Sequence, residues 1–512
     1  MANYHLRRPA ARSTGEPSVK GLTSSNRWSS LDMLEEEEEE EEEEGDQYDW
    51  LSNLPDDLLL KILERLDTAD AARTSILSTR WKQIPAMLPK INLSVGSFDT
   101  ERGRSNLTSD DVVRANRNIL EATRTMLEGR ENIYTIHALC MQFFLGDGSV
   151  NIAQKVANTV ATKKVGPVEL TLLTEKKGYK CTNGDFLTYG RQLSSFVYAC
   201  PTAFSCLARL KLENLRLGES DFPKIFSISK RLEFLCLFNC DAGYLSLLEV
   251  EHPQLRELEI LKCDFERVDL KWLPKLTKLT FASWSSEHDP LSFSFVPLLQ
   301  TLNISNTALS WHKMVKLSEF LGQVTTVREL HLNFESEKIW VKPESPRELL
   351  QVFHKLRVVN LCGISEECDL NWTMFVLQGA PSLGELCITV WDHLCEMVED
   401  EGQRKAFEYS EAKKDACAEW EAPPSCFKHR SLTVLKVFGF QSEDKFVKYV
   451  IDVIDAAVSL EDIYLYKKPA CETCKRQKDR YLRTNKQRMA LRNMFNRETF
   501  SLVRVHFPSS RT

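Results

Sequence analysis

No stretch of this 512-residue sequence is both long and apolar enough to cross a membrane. The longest run without a formal charge, Pro290 to His312, is broken throughout by Ser, Asn, Gln and Thr. The first residues carry no apolar core of a secretory leader. The fifteen cysteines are odd in number and follow no framework spacing, so they read as buried thiols of a reducing compartment. A phosphate-binding G-x-x-x-x-G-K-[ST], a zinc-protease H-E-x-x-H and a nucleophile-elbow G-x-S-x-G are all missing. Cys471-x-x-Cys474 has the spacing of half a zinc site, yet no second pair completes it and His506 is the only histidine nearby. No metal, no cofactor and no catalytic residue is therefore expected. Missing motifs do not exclude an enzyme, but nothing here proposes one.

Charge is abundant and unevenly placed. Residues 1–49 hold five Lys/Arg against fourteen Asp/Glu, a balance of -9, with ten consecutive glutamates at Glu35–Glu44. Residues 467–512 hold thirteen Lys/Arg against three Asp/Glu, a balance of +10. The body between them is mildly acidic, which argues against nucleic-acid binding by the whole chain. The basic run Lys475–Arg492 reads first as a solvated helix, with a nuclear-import signal as the alternative. Localisation stays open between cytoplasm and nucleus. The glutamate run reads as a disordered, solubilising tail.

What the sequence does have is a repeat. The pattern L-x-x-L-x-L starts at Leu207, Leu232, Leu255, Leu276, Leu299, Val327, Leu356, Leu383, Leu432 and Leu460, with a weaker copy at Val165. Starts are 21 to 29 residues apart, except for one gap of 49. Ten copies at this period predict a leucine-rich repeat solenoid. Each repeat supplies one short strand whose apolar face cannot be buried alone, so strands stack side by side into a parallel sheet. The residues between the leucines then line the open, concave face: Lys211, Cys236, Glu259, Thr280, Asn303, His331, Asn360, Cys387, Lys436 and Tyr464. Such a mixed stripe suits recognition of a protein substrate better than catalysis. A βαβ unit is predicted at the far end: a strand over 432–438, a helix after Ser442 carrying Phe446, Val450, Val453, Ile454 and Ala457, and a strand over 463–466.

Before the repeats lies the short apolar stretch LPDDLLLKILERLDTADAARTSILSTRW, from Leu54 to Trp81. Leu59, Ile62, Leu63 and Leu66 share a helical face, Leu58 widens it, and Pro55, Asp56 and Asp57 suit a helix start. A second helix follows Asp67, and Ser78 can cap a third that carries Trp81. Leu54, Pro55, Ile76, Leu77 and Trp81 cannot all be buried in so small a unit. The uncovered surface either packs on the first repeat or docks a partner.

Residues 49–95 resemble an F-box in their L-P, their I-L-x-x-L run and their S-x-L-S-x-x-W ending. The stretch from about Phe427 to Cys471, with Trp420 and Gly439-Phe440, is similar to an FBD domain. Together with the repeats, the chain resembles the plant F-box/FBD/leucine-rich-repeat family. That resemblance implies an α/β fold: a three-helix F-box, a parallel-strand solenoid and a βαβ FBD cap. It implies a division into a tail at 1–48, F-box at 49–95, repeats at 130–390, charged insertion at 391–428, FBD at 429–471 and basic tail at 472–512. It further implies that Leu54, Pro55, Ile62, Leu63, Leu77 and Trp81 contact or support a Skp-type adaptor, and through it cullin and RING subunits of a ubiquitin ligase. Within the stripe, Lys211, Glu259, Asn303, His331, Asn360, Lys436 and Tyr464 would then meet an unidentified protein substrate, the chain itself being non-catalytic. The alternative is an interaction scaffold that does not engage the ligase.

Overall fold

Each L-x-x-L-x-L copy from Leu207 onward delivers its three apolar side chains to one continuous core, and none of them is more than 7% exposed. At about 2 kcal/mol for each buried leucine or isoleucine, this alternation is the main force ordering the chain. The computed structural model describes residues 53–66, 68–78, 80–81, 84–97, 107–127, 135–146, 148–243, 246–284, 288–306, 314–335, 339–366, 368–390, 420, 426–468, 481–499 and 503–508. The glutamate run, nearly all of the charged insertion, the Cys471–Cys474 pair and the basic residues 475–480 lie outside the described residues.

The strands are β1 (Lys90–Ser94), β2 (Ala138–Phe144), β3 (Val168–Leu173), β4 (Leu207–Glu213), β5 (Phe234–Phe238) and β6 (Leu247–Glu251). Then come β7 (Glu257–Leu261), β8 (Arg267–Trp272), β9 (Lys278–Trp284), β10 (Leu291–Phe293), β11 (Thr301–Asn306) and β12 (Glu329–Asn333). The last are β13 (Val358–Ile364), β14 (Glu385–Val390), β15 (Val434–Phe438), β16 (Asp462–Tyr466) and β17 (Arg504–His506). Fourteen of them form one sheet, ordered β1-β2-β3-β4-β5-β7-β9-β11-β12-β13-β14-β15-β16-β17. All pairs are parallel, and the register keeps like positions opposite one another: Leu235, Leu258 and Leu279 share one row, Cys236, Glu259 and Thr280 the next.

The sheet begins earlier and ends later than the repeat pattern suggests. Its first strand, β1, falls inside 49–95 and pairs with β2. Only Ile91 and Leu93 of β1 point inward, too short a signal to register as a repeat, and the helix Ser109–Leu127 stretches the spacing to the next strand. At the other end, β15, the helix Asp444–Ala456 and β16 form the βαβ unit. That unit does not close the sheet. The segment read as a basic tail contributes the helix Asn485–Thr499 and strand β17, which pairs with β16. Leu491, Phe495 and Val505 are buried while Arg492 and Arg504 between them are exposed, so charge masks the pattern.

A second sheet, β10-β8-β6, is also parallel and was not signalled by the repeat. Its alternations are short: Leu248 and Val250, Val268 and Leu270, Leu291 and Phe293 are the buried positions.

Polar rungs lock successive repeats. Cys240 and Cys263, at the last position of the repeat pattern, are buried free thiols, and the Cys240 amide donates to Cys263 Sγ at 3.4 Å. His252 and His429 both sit three residues before the first leucine of a copy. Each ring pairs through Nε2 with the carbonyl at the equivalent place one repeat earlier, Ser229 at 3.0 Å and Ala380 at 2.9 Å. Each Nδ1 accepts backbone N–H groups, from Gln254 and from Ser431 and Leu432. An accepting Nδ1 fixes the neutral, Nε2-protonated tautomer. Gly439, after β15, has φ +78°, and a Cβ there would lie 2.1 Å from the Val390 carbonyl oxygen, so the turn admits glycine alone.

Candidate docking and recognition surfaces

The N-terminal module is built on helix α1 (Asp56–Leu63) and helix α2 (Thr68–Arg73). Short 3-10 segments follow at Thr74–Ile76 and Ile84–Met87. Trp81 lies in a turn, where its amide donates to Ser78 Oγ at 3.3 Å. Pro85, lacking an N–H and restricting the residue before it, keeps the third helical segment short. The Arg80 guanidinium ties this turn back to the start of α1, bonding Asp56 Oδ1 at 2.6 Å and the Leu54 carbonyl at 2.5 Å.

The module divides its apolar residues between two surfaces. Leu59, Leu63, Trp81, Ile84 and Leu88 are buried in the core that continues into β1 and the helix Ser109–Leu127. Leu58, Ile62 and Leu66, one turn apart, face outward instead, each about two-fifths exposed (41%, 39% and 43%). Ile76 is 85% exposed and Leu77 62%. Of the six residues expected to serve an adaptor, Pro55, Ile62 and Leu77 are thus on the surface, Leu54 is half-buried, and Leu63 and Trp81 are inside. The expected single face of α1 is really two: Leu59 and Leu63 inward, Leu58, Ile62 and Leu66 outward. Leu58, Leu66 and Ile76 belong to the surface set although they were not among the six.

The open face of the main sheet carries the predicted stripe in one register row. It runs Lys211, Cys236, Glu259, Thr280, Asn303, His331, Asn360, Cys387, Lys436, Tyr464. The row extends past both ends of the prediction, to Thr171, Gln142 and Ser94 on one side and His506 on the other. Neighbours along it neutralise and orient one another. Lys436 pairs with Glu385 at 2.7 Å, Lys211 with Glu169 at 3.5 Å, and Arg209 stacks over the Phe234 ring at 3.8 Å. Asn303 Nδ2 donates to Thr280 Oγ1 at 3.1 Å, and Asn360 Nδ2 lies 3.2 Å from His331 Nδ1. Tyr464 stacks on His506 with centroids 4.5 Å apart, and Asp462 beneath them pairs with His506 at 2.7 Å. The stripe residues are half-buried apart from the buried Cys236 and Cys387.

The ionisable groups of this surface are held in fixed states. Burial, helped by Glu259, pushes the Cys236 thiol up to about 12, and burial with Glu385 raises Cys387 also. Both stay protonated at neutral pH, the unreactive state of a cysteine. Burial holds His331 below the ordinary histidine range, so its ring is neutral and accepts or donates hydrogen bonds. Among the described residues no group of His, Cys, Asp and Glu is arranged to hold a metal ion. Among the described residues, too, no helix is long and apolar enough to cross a membrane.

Comparison with known proteins covers both regions. Residues 51–91 match the family profile of the F-box domain, and residues 192–499, more than half of the chain, match the profile described as At1g61320/AtMIF1, LRR domain. The F-box/FBD/LRR-repeat protein At1g80470 of Arabidopsis thaliana is 24% identical over 339 residues, covering 64% of this chain and 69% of that protein. The FBD-associated F-box protein At5g56370 of the same plant is 26% identical, covering 66% and 74%. This chain belongs to the plant F-box/FBD/leucine-rich-repeat family. A third member, the F-box/FBD/LRR-repeat protein At1g51370 of Arabidopsis thaliana, is 23% identical over 83% of this chain and 91% of its own length. Among solved structures, the TLR13–ssRNA13 complex is 15% identical with a TM-score of 0.29, covering 69% of this chain and 44% of that one. Within this F-box/FBD/leucine-rich-repeat chain the F-box match coincides with the module that leaves apolar side chains outside, and the repeat match spans most of the open row.

Proposed function

We propose that this protein is the substrate-recognition subunit of a Skp–cullin–F-box ubiquitin ligase. The observation that carries the reading is the outward apolar set Leu58, Ile62, Leu66, Ile76 and Leu77 on a module whose other face is already packed. A monomer gains nothing from keeping these side chains in water, whereas a partner's helices burying them would gain about 2 kcal/mol for each central anchor. Pro55, Ile62 and Leu77 are the contacts of the adaptor, with Leu54 at the edge. Leu63 and Trp81 support them from within. Cullin and RING subunits join through the adaptor and supply the transfer chemistry. The row from Lys211 to Tyr464 receives a protein substrate by hydrogen bonds and stacking, since its charges are largely paired.

The test is binding of a purified Skp-type adaptor to the full chain by calorimetry. Ile62→Ala with Leu77→Ala should weaken binding by roughly thirtyfold for each anchor. Thermal melting should be unchanged, because both side chains are exposed. Wild-type affinity in this double variant, or no affinity in the parent protein, defeats the ligase reading and leaves a scaffold.

A further inference from the structure

Where β4, β5 and β7 end, a cleft of about 480 Å³ opens beside the recognition row. Three consecutive turns build one wall. Asn214, Asn239 and Lys262 leave their strands with φ of +56°, +53° and +52°, a conformation that Asn adopts readily and Lys seldom. Their amides are spent on the next repeat, donating to the carbonyls of Phe238, Leu261 and Ala282 at 2.9, 2.8 and 3.0 Å. The side chains therefore stand free of the backbone ladder. Asn239 Nδ2 donates to Asn214 Oδ1, and Asn214 Nδ2 to Thr174 Oγ1, both at 2.6 Å. The facing wall is Lys177 with Gly178, which approaches so closely that a Cβ at 178 would lie 2.6 Å from Asn239 Nδ2.

The charges of this cleft are not paired as they are along the row. Lys211, Lys278 and Lys436 each meet a carboxylate on a neighbouring strand. Among the described residues neither Lys177 nor Lys262 does, although both line the cleft. Lys262 Nζ lies 5.9 Å from the Phe238 ring, which offers the cleft an aromatic face. Glu213 is the one carboxylate of the lining, and its Oε1 accepts from Thr174 N at 2.8 Å and Thr174 Oγ1 at 3.2 Å.

We propose that this cleft binds a small organic anion. Its carboxylate or phosphate lies between Lys177 and Lys262, its planar or apolar body lies against Phe238, and Asn239 orients it. The volume is that of a small-molecule site, about 300–1,000 Å³, and a single acidic side chain of a protein substrate would leave most of it empty. A bound anion would extend the recognition row at β4–β7, so the surface offered to a protein partner would depend on a metabolite.

The experiment needs only the full chain, with no adaptor or substrate, and so stands apart from the ligase reading. Benzoate and phenyl phosphate serve as anionic probes and benzamide as the neutral isostere, followed by ligand-observed NMR and calorimetry. Both anions should bind, the stronger of the two identifying the anion class, and benzamide should not. Lys177→Gln and Lys262→Asn should each weaken anion binding about tenfold. Lys262→Asn keeps the fold, because Asn already holds the same φ in the two preceding repeats. Lys271→Gln, on the second sheet, should leave binding unchanged. The proposal is overturned if neither anion binds, if benzamide binds as well as benzoate, or if the Lys177/Lys262 double variant binds like the parent.

Discussion

The two ends of the main sheet solve the same problem in opposite ways. At the C-terminal end, a segment with a formal charge of +10 over residues 467–512 still packs large apolar groups inward, with Met489 and Met494 left exposed. Leu491, Phe495 and Val505 are buried, and Phe446, Tyr449, Val450 and Val453 are buried in the helix before them. At the N-terminal end, a module rich in leucine and isoleucine leaves Ile76 and Leu77 mostly in water, and Leu58, Ile62 and Leu66 about two-fifths exposed. A shortage of core does not account for this, because Leu59, Leu63, Trp81 and Ile84 from the same module all reach it. What terminates a solenoid needs only to cover its last leucines. What also presents it to a partner must leave a second surface uncovered.

That contrast is broken or sharpened by substitution. The largest effect should come from one charge placed at each end. Leu435→Asp puts an unpaired carboxylate where the side chain is wholly buried, and should cost more than about 4 kcal/mol and abolish cooperative melting. Leu77→Asp should leave the melting curve where it was and remove adaptor binding. Equal destabilisation by the two, read by circular dichroism, would mean that the outward set is structural. A smaller effect belongs to the turn after β15. Gly439→Ala must hold φ near +78° and displace Val390, which should cost about 1–3 kcal/mol and leave adaptor affinity intact.

The smallest effect is a pH dependence confined to the repeats. Burial lowers the proton affinity of His252 and His429, and both are neutral in the folded chain. The unfolded chain binds more protons than the folded one below about pH 6.5, so this contribution is fully present above that value. It is lost as the pH falls through the lowered folded values. Residues 53–88 contain no histidine. His252→Gln with His429→Gln should therefore flatten the acid limb of the stability curve, measured by urea melts from pH 7.5 to 5. An unchanged acid limb would assign that dependence to carboxylates.

The repeat was legible because every copy places its three apolar residues at the same register positions, and the nine parallel pairings from β4 to β16 then follow from stacking alone, whereas β1, β2 and β17 carry no copy. The open-face row was legible for the same reason, since alternate residues of a strand face opposite ways. Other features were hidden by geometry that a one-dimensional pattern does not carry. Leu58–Ile62 and Leu59–Leu63 are equally good one-turn pairs, and only the position of β1 and Trp81 decides which line turns inward. Strands of three to six residues such as β10 and β8 carry too few alternations to stand out. The cleft at Lys177 and Lys262 joins residues 85 positions apart through three turns, and left-handed Asn and Lys leave no mark on hydropathy.

The unbroken register of the open row also makes the sheet a ruler. Adjacent strands lie about 4.8 Å apart, so the thirteen steps from β1 to β17 span roughly 60 Å along the surface. The apolar set is fixed beside β1, and any ligand is fixed to the strands it touches. Moving a binding site by one repeat therefore moves its cargo by about 5 Å relative to whatever is docked at the module. If the module docks an adaptor as proposed, the choice of repeat sets not only what is held but how far away it is held.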